Sequence, residues 1–328
     1  MLNKISKNNI KNYKAKDLMS KGVITLLPQD NLLNAQEIMS KYSIKKIVVV
    51  DNKNKGNPVG ILTIKDIIKF LILDRIDRDL DEIPIIEAMT KNLITINETK
   101  SVVDCAKILD KDNNNGIISS LIVVEVDNSE QLRQQDSSAN RKMTLSGIIT
   151  STDFTRFFSE NCIGLSLVKD FMSHPVFLIS IDEKVSTAAK LMIEKNVSRL
   201  VVTPASSHRD RLLGILSETD ISRVTLGLKS KTLRSVYEHM QMIFSSSKRN
   251  IPDNLHEPTL IRIRDIFTPK PTVIDNDADL AEAAKIMVRQ RIGGIPVIES
   301  SLEEGKTKNQ PVGIISKTDI VKALIDFE

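Results

Sequence analysis

The sequence is poor in the residues that build metal sites, disulfide frameworks and aromatic cores. Its 328 residues include no Trp, three Tyr, two Cys and four His. Cys105 and Cys162 lie far apart in the chain, so we expect no disulfide framework and a reducing, cytoplasmic location. No histidine lies at ligand spacing from a cysteine or from another histidine, which argues against a zinc or iron site.

Long apolar runs are also missing. No run approaches the roughly 18 residues that cross a bilayer, and residues 1–7 lack the apolar core of a signal peptide. We therefore expect neither a membrane partner nor a cleaved leader. The composition, 41% hydrophobic and 27% charged, is typical of an ordinary soluble protein. Because aromatic side chains are few, the core must be aliphatic.

One seven-residue pattern occurs four times in the chain. It consists of a glycine, two aliphatic residues, a Ser or Thr, two variable residues and an Asp. The copies are residues 60–66, 147–153, 214–220 and 313–319. Because each copy ends a similar larger unit, the chain contains an internal repeat, and a repeat fixes the fold class before other arguments. Apolar β-branched runs, helical spacing and turn residues predict strand, helix, strand, strand, helix in each unit.

The repeated pattern divides the chain into units. We predict a basic arm over residues 1–14, a polar insertion at 127–144 and a helical linker over 229–258. The four repeats are expected at residues 15–80, 84–160, 166–228 and 259–328. The arm contributes to a basic first stretch, because residues 1–80 hold 15 Lys and Arg against 8 Asp and Glu, a net of +7. A solvated, frayed terminus is the simple interpretation, and an electrostatic contact with nucleic acid or an acidic partner is the alternative.

The hydroxyl and the carboxylate of the pattern have a simple structural explanation. Both types of side chain commonly cap helix starts, where they accept backbone N–H bonds. Capping alone does not require the same glycine, hydroxyl and carboxylate in all four units, so we expect a further role for these side chains. They are Thr63, Asp66, Thr150, Asp153, Ser217, Asp220, Ser316 and Asp319.

The order of elements and the two ends of each unit resemble the CBS domain, the cystathionine beta-synthase-type repeat of about 60 residues. The units begin with similar segments, such as Ala15-Lys-Asp-Leu-Met19 and Val168-Lys-Asp-Phe-Met172, and end with the pattern above. The resemblance implies an α/β fold in which β-α-β-β-α repeats pair through their sheets into two Bateman modules. The arrangement is similar to the flat disc of the gamma subunit of AMP-activated protein kinase.

The resemblance also implies an adenosine ligand: AMP, ADP, ATP or S-adenosylmethionine. No metal is expected beyond magnesium carried by a bound nucleotide. The four aspartates would accept hydrogen bonds from the ribose, and the four hydroxyls would bond ribose or phosphate. Charge-assisted bonds of this kind contribute about 1.5–3 kcal/mol each.

A basic residue just before the central strand contacts phosphate in the kinase gamma subunit, and this position varies between repeats. Lys46 occupies it in the first repeat and Arg199 in the third, whereas Ser120 and Gly294 occupy it in the second and fourth. Ordinary surface charge is the simpler interpretation of Lys46 and Arg199. The alternation nevertheless predicts two better phosphate sites, at repeats 1 and 3.

Two classes of function remain possible for a chain that consists mostly of these four repeats. No catalytic domain is left, and the chain has no Gly-x-Ser-x-Gly or Walker-type motif, so we expect no enzyme activity. The first hypothesis is a sensor that binds an adenine nucleotide and acts on an unknown protein partner. The second is a protein that docks on RNA, DNA or the ribosome through the basic residues 1–80. Either a monomeric disc or a homodimer is expected.

Overall fold

The computed structural model describes most of the chain. The described residues are 10–52, 56–64, 66–67, 78–114, 120–126, 143–204, 212–221, 261–303 and 306–327. Residues 1–9 of the basic arm, nearly all of the insertion and the whole linker over 229–258 lie outside them. The described residues form four repeats, each with its own small mixed sheet flanked by helices. The predicted fold class is confirmed.

Repeats 1 and 2 contain the predicted strand, helix, strand and strand, and repeat 2 also contains the predicted last helix. The last helix predicted for repeat 1, residues 66–73, lies mostly outside the described residues, as do residues 222–228 of repeat 3. Repeat 1 consists of α1 Ala15–Leu18, β1 Thr25–Leu26, α2 Leu32–Lys41, β2 Lys46–Val50 and β3 Pro58–Thr63. Repeat 2 consists of α3 Ile85–Ala88, β4 Thr95–Asn97, α4 Val102–Asn114, β5 Ser120–Val126, β6 Met143–Thr150 and α5 Ser151–Asn161. Asn31 caps α2 by accepting a 2.8 Å hydrogen bond from the Asn34 backbone N–H.

The last two repeats have the same order of elements. Repeat 3 consists of α6 Val168–Phe171, β7 Leu178–Ser180, α7 Val185–Glu194, β8 Arg199–Thr203 and β9 Gly214–Ser217. Repeat 4 consists of a 3-10 turn Ile263–Asp265, β10 Thr268–Pro269, β11 Ile274–Asp275, α8 Leu280–Gln290, β12 Gly294–Glu303, β13 Lys306–Ser316 and α9 Lys317–Ile325. The final hairpin extends well beyond the apolar runs at 295–298 and 311–316, because polar residues continue the backbone ladder.

In each repeat, the strand before the helix and the two strands of the hairpin are paired in the same way, while β10 of repeat 4 joins the sheet of repeat 3. The first strand is parallel to the second, since a helix connects them, and the second is antiparallel to the third, since a hairpin connects them. This topology places the end of the third strand, where the motif hydroxyl lies, beside the beginning of the second strand.

Repeats 1 and 2 exchange their first segments, and so do repeats 3 and 4. We call residues 15–20, 85–90, 168–173 and 263–268 the lead segments. The lead segment of repeat 1 pairs with β6 of repeat 2 (Ser20 with Ile148), and that of repeat 2 pairs with β3 of repeat 1. Ser173 likewise pairs with Ile314, and Thr268 with Ile215. The exchange ties each pair into one module.

The motif glycine makes this exchange possible. In each repeat, the second-last residue of the paired repeat's lead segment contacts the motif glycine with its side chain. A Cβ atom on the glycine would overlap that side chain. The four contacts are Met89 on Gly60, Met19 on Gly147, Phe267 on Gly214 and Met172 on Gly313. The glycine of the pattern is therefore explained by space for the paired repeat.

The two modules are joined by a shared hydrophobic core. One cluster of buried side chains includes Phe154 and Phe158 of α5 together with Met287 of α8 and Leu324 of α9. The rings of Phe158 and Phe327 are stacked with centroids 5.9 Å apart. Repeats 2 and 4 thus fold against each other, whereas repeats 1 and 3 have separate clusters of their own.

The end of the predicted arm belongs to this core. Ile10 is completely buried, and the Ala15 backbone N–H donates to the Lys100 carbonyl at 2.7 Å. The Tyr13 and Phe157 rings meet edge to face at 4.9 Å. The interpretation of residues 1–14 as a frayed terminus is therefore wrong for residues 10–14, because their apolar side chains pack on repeat 2.

Candidate functional site

The hydroxyl and the carboxylate of the motif form the same local unit in every repeat. The backbone N–H and the side-chain hydroxyl both donate to Oδ2 of the aspartate three residues later. The two distances are 2.8 and 2.7 Å for Thr63–Asp66, 2.8 and 2.7 Å for Thr150–Asp153, 2.9 and 2.6 Å for Ser217–Asp220, and 2.8 and 2.7 Å for Ser316–Asp319. The aspartate caps the helix start and orients the hydroxyl, as the capping interpretation requires.

In repeats 2 and 4 the second carboxylate oxygen of the aspartate accepts a hydroxyl of the paired repeat. Oδ1 of Asp153 accepts a 2.8 Å hydrogen bond from Ser20, and Oδ1 of Asp319 accepts one of 3.0 Å from Ser173. These aspartates are only 5% and 3% exposed. Burial raises the pKa of Asp319, although the hydrogen bonds from Ser316 and Ser173 oppose this shift.

Ser20 and Ser173 were not among the predicted site residues. The sequence did carry a signal, because a Ser or Thr ends every lead segment, after Met in three repeats and after Phe in the fourth. The backbone pairing places Thr90 and Thr268 at the equivalent positions opposite β3 and β9. Asp66 and Asp220, the aspartates on that side of each module, are partly exposed.

The residue that the sequence placed just before the central strand is the first residue of that strand, and it lies directly beside the motif hydroxyl. The strand register pairs Lys46 with Thr63 and Arg199 with Ser217, and it pairs Ser120 with Thr150. Gly294 is paired with Ser316 in the same way. The register therefore places a cation next to the hydroxyl in repeats 1 and 3.

Each of these cations also lies near the aspartate of the paired repeat. Lys46 is attracted by both Asp153 and Asp66. Arg199 is attracted by Asp220 and Asp319, and its side chain lies on Gly293 and Gly294 of repeat 4, where any Cβ would meet it. Along the sequence, only repeats 1 and 3 carry a cation at this position. In the structure, each of these cations lies near both motif aspartates of its module, so neither aspartate of a module is without a nearby cation.

Burial weakens the basicity of the cations at this site. It lowers the pKa of Lys46 to about 8, against the attraction of Asp153 and Asp66. It also lowers the pKa of Arg199. Cations whose pKa is lowered by burial and which lie beside acidic side chains are candidates for a functional site.

Two further lysines, absent from the predicted set, link the modules. Lys45 of repeat 1 donates to the Thr219 hydroxyl of repeat 3 at 2.7 Å, and Lys317 of repeat 4 donates to the Thr152 hydroxyl of repeat 2 at 3.0 Å. The pKa of Lys317 is lowered to about 8 by burial and then by the charge of Lys45 and Arg199. One cationic cluster, shared by repeats 1, 3 and 4, therefore consists of Lys45, Lys46, Arg199 and Lys317.

Among the residues that the structure describes, no group of three or more His, Cys, Asp or Glu side chains is arranged to hold a metal ion. Within the same residues, no helix has the length and apolar character needed to cross a bilayer. Cys105 and Cys162 are free, and burial raises the pKa of both thiols to about 12.

The sequence profile of the CBS domain matches four stretches of this chain. They are residues 15–73, 81–133, 168–227 and 263–326. The chain therefore belongs to the CBS domain family, and the predicted set of four tandem repeats is confirmed. The exact bounds of the units stay a prediction.

Known proteins of this family resemble the chain over most of its length. MJ1225 of Methanocaldococcus jannaschii is 24% identical over 315 residues, which are 92% of this chain and 95% of that protein. Its crystal structure, described as that of a candidate archaeal homologue of g-AMPK, matches with a TM-score of 0.69 at 23% identity and covers 95% of this chain and 99% of that one. The likeness supports the shared fold of paired repeats.

Shorter CBS structures carry adenosine ligands. The domain pair of MJ0100 was solved with 5′-methylthioadenosine and S-adenosylmethionine; it is 20% identical, covers 50% of this chain and 98% of that one, and has a TM-score of 0.33. CBSX2 was solved with AMP; it is 22% identical, covers 49% of this chain and 96% of that one, and has a TM-score of 0.32. These ligands belong to those proteins.

Proposed function

We propose that this chain is a non-catalytic sensor that binds an adenine nucleotide between paired repeats and transmits its occupancy to a protein partner. The supporting observation is the cationic cluster of Lys46, Arg199 and Lys317 beside motif aspartates that carry oriented hydroxyls. A carboxylate suits the two ribose hydroxyls, and a cation next to it suits the phosphate.

The proposed binding mode assigns a separate part of the ligand to each group. In the first module, the ribose would bond Asp66 while Thr63 and Lys46, paired across two strands, would reach the phosphate. In the second module Asp220, Ser217 and Arg199 would take the same roles. The adenine would lie against the aliphatic and backbone groups of the cleft. Arginine would favour a bidentate phosphate contact, and lysine a point-charge contact.

Transmission between modules would use the contacts that cross between them. A phosphate that draws Lys45 or Lys317 toward itself would weaken the hydrogen bonds to Thr219 and Thr152. A ligand shifts such an equilibrium only by its difference in affinity for the two arrangements. A protein partner would then read the relative position of the modules.

The alternative, docking on RNA or the ribosome, rests on the basic residues 1–80. Two observations weaken its motivation: Lys46 of this stretch lies near Asp66 and Asp153, and Lys45 lies near Lys317 of repeat 4. We therefore favour the sensor. RNA binding that falls steeply with salt would support the alternative.

The deciding experiment is calorimetric titration of the nucleotide-stripped protein with AMP, ADP, ATP and S-adenosylmethionine. We expect one of them to bind at micromolar concentration, which corresponds to about −8 kcal/mol. Small-angle scattering with and without that ligand should then show a change in shape. No binding of any of the four would contradict the proposal.

A further inference from the structure

Ser120, the first residue of β5, has a buried hydroxyl without a hydrogen-bond partner. The residue is only 2% exposed, and among the residues that the structure describes nothing bonds its Oγ atom. Folded proteins pair nearly all buried polar groups, because an unpaired one has lost its bonds to water and gained none in return. A ligand that supplies the missing partner would recover this cost.

The Ser120 side chain lies on the ligand side of its sheet. The register of β5 and β6 places Ser120 directly opposite Thr150, and side chains that are opposite each other in antiparallel strands lie on the same face. The Thr150 hydroxyl donates to Asp153 at 2.7 Å. The unpaired hydroxyl is therefore next to a motif hydroxyl and its aspartate.

The second module shows what this position contacts across the paired repeats. Arg199 and Gly294 are the first residues of the central strands of repeats 3 and 4. A Cβ atom on Gly294 would lie 3.1 Å from Cδ of Arg199, so the two positions lie against each other.

The equivalent pair in the first module is Lys46 and Ser120, the first residues of β2 and β5. Both modules exchange their lead segments in the same way, so the same construction brings these two side chains together. The attraction between Lys46 and Asp153, whose carboxylate accepts the hydroxyl opposite Ser120, agrees with this placement.

A hydroxyl beside an ammonium group suits an oxygen of a phosphate. The Lys46 ammonium is a compact charge, and the neighbouring Ser120 O–H adds a second, directed donor to the same anion. The guanidinium of Arg199 carries several N–H donors of its own, and the residue facing it, Gly294, has no side chain to add.

We propose that Ser120 is a phosphate-binding residue of the first module, where its hydroxyl donates to a phosphate oxygen that Lys46 also contacts. The nucleotide then bonds Asp66 of repeat 1 through its ribose and Ser120 of repeat 2 through its phosphate, so the site needs both repeats. This inference rests on the proposed function, which places a phosphate at Lys46. The second module has no hydroxyl at the equivalent position, Gly294.

The test uses Asp220→Ala protein, in which the first module keeps its site and the second loses its ribose contact. AMP and adenosine are titrated calorimetrically into this protein with and without Ser120→Ala. We expect the dissociation constant for AMP to rise about tenfold, because a hydrogen bond to a charged group is lost. Adenosine has no phosphate, and its affinity should not change.

Matched controls separate a phosphate contact from a structural role. On an Asp66→Ala background, where only the second module keeps its site, Ser120→Ala should leave AMP binding unchanged. Ser159→Ala removes a hydroxyl that donates to the Arg156 carbonyl on α5 and should leave the first module's affinity unchanged. Ser120→Ala should not lower the melting temperature of the unliganded protein, since the hydroxyl that it removes bonds no described group.

Three results would overturn the inference while leaving the proposed function intact. They are an unchanged affinity for AMP in the Ser120→Ala variant, an equal loss for AMP and adenosine, and a lowered melting temperature of the unliganded variant. If the Asp220→Ala protein with Ser120 intact binds neither AMP nor adenosine, the proposed function fails for the first module, and this inference fails with it.

Discussion

Repeats 2 and 4 differ from repeats 1 and 3 although all four carry the same motif. In repeats 2 and 4 the aspartate is buried, bonded by a serine of the paired repeat and placed at the start of a helix in the core between modules. In repeats 1 and 3 the aspartate is partly exposed, and a basic residue lies beside the motif hydroxyl. The comparison teaches that the number of motifs is not the number of equivalent sites.

The largest effect should come from the core that holds repeats 2 and 4 together. Phe158→Ala removes a fully buried ring stacked on Phe327. We expect a loss of about 3–5 kcal/mol in the free energy of unfolding, measured by urea denaturation. Ile163→Ala, at a side chain 49% exposed, is the control and should change it by less than about 0.5 kcal/mol. Equal losses would contradict the packing described here.

The positive charge of Lys46 in repeat 1 can be removed while a side chain of similar length is kept. Lys46→Met should weaken AMP binding by about 1.5–3 kcal/mol, because a charge-assisted bond to phosphate is lost. Lys41→Met, on the exposed end of α2, is the matched control and should leave the affinity unchanged. Calorimetric titration measures the affinity, and an unchanged value for Lys46→Met would exclude Lys46 from the site.

The contact between the Arg199 side chain and Gly293 of repeat 4 can be tested by placing a methyl group in the space that the side chain occupies. Gly293→Ala places a methyl group where the Arg199 guanidinium lies and should cost about 1 kcal/mol of stability, because the end of the arginine side chain must move. The double variant with Arg199→Ala should recover most of this loss, since the clash disappears. Strictly additive losses in a denaturation cycle would show that the two residues do not touch.

The affinity for AMP should depend on pH. Lys46 and Lys317 have pKa values of about 8, lowered from 10.5 by burial, so they are charged below pH 8 and lose their protons above it. We expect AMP binding to weaken several-fold between pH 7 and pH 9, whereas adenosine, which has no phosphate, should not respond. Because a folded-state pKa below the unfolded value favours the neutral form in the fold, the unliganded protein should gain stability over pH 8 to 10.5. Equal pH profiles for AMP and adenosine would contradict the proposed phosphate contact.

The smallest effect is expected at the polar contact between repeats 1 and 3. Thr219→Val removes the acceptor of the Lys45 ammonium at an exposed position. The free energy of unfolding should fall by less than about 1 kcal/mol, as urea denaturation would show. A much larger loss would mean that the contact between repeats 1 and 3 is as important as the shared core of repeats 2 and 4.

The fold and part of the site were predictable because their signals are local. The β-branched runs, the hairpin turn before Pro58 and the helix starts predict elements that agree with the structure to within a few residues. The register that places Lys46 beside Thr63 follows from the same hairpin. Local patterns do not reveal that Ser20 meets Asp153, because 133 residues separate them. Arg199 on Gly293 was unpredictable for the same reason.

The most direct test is the number of AMP molecules bound at saturation by the wild type and by the Asp66→Ala, Asp220→Ala variant. We predict two per chain for the wild type and none for the variant, with its fold intact by circular dichroism. If the variant binds as many AMP molecules as the wild type, the motif aspartates of repeats 1 and 3 do not hold the nucleotide.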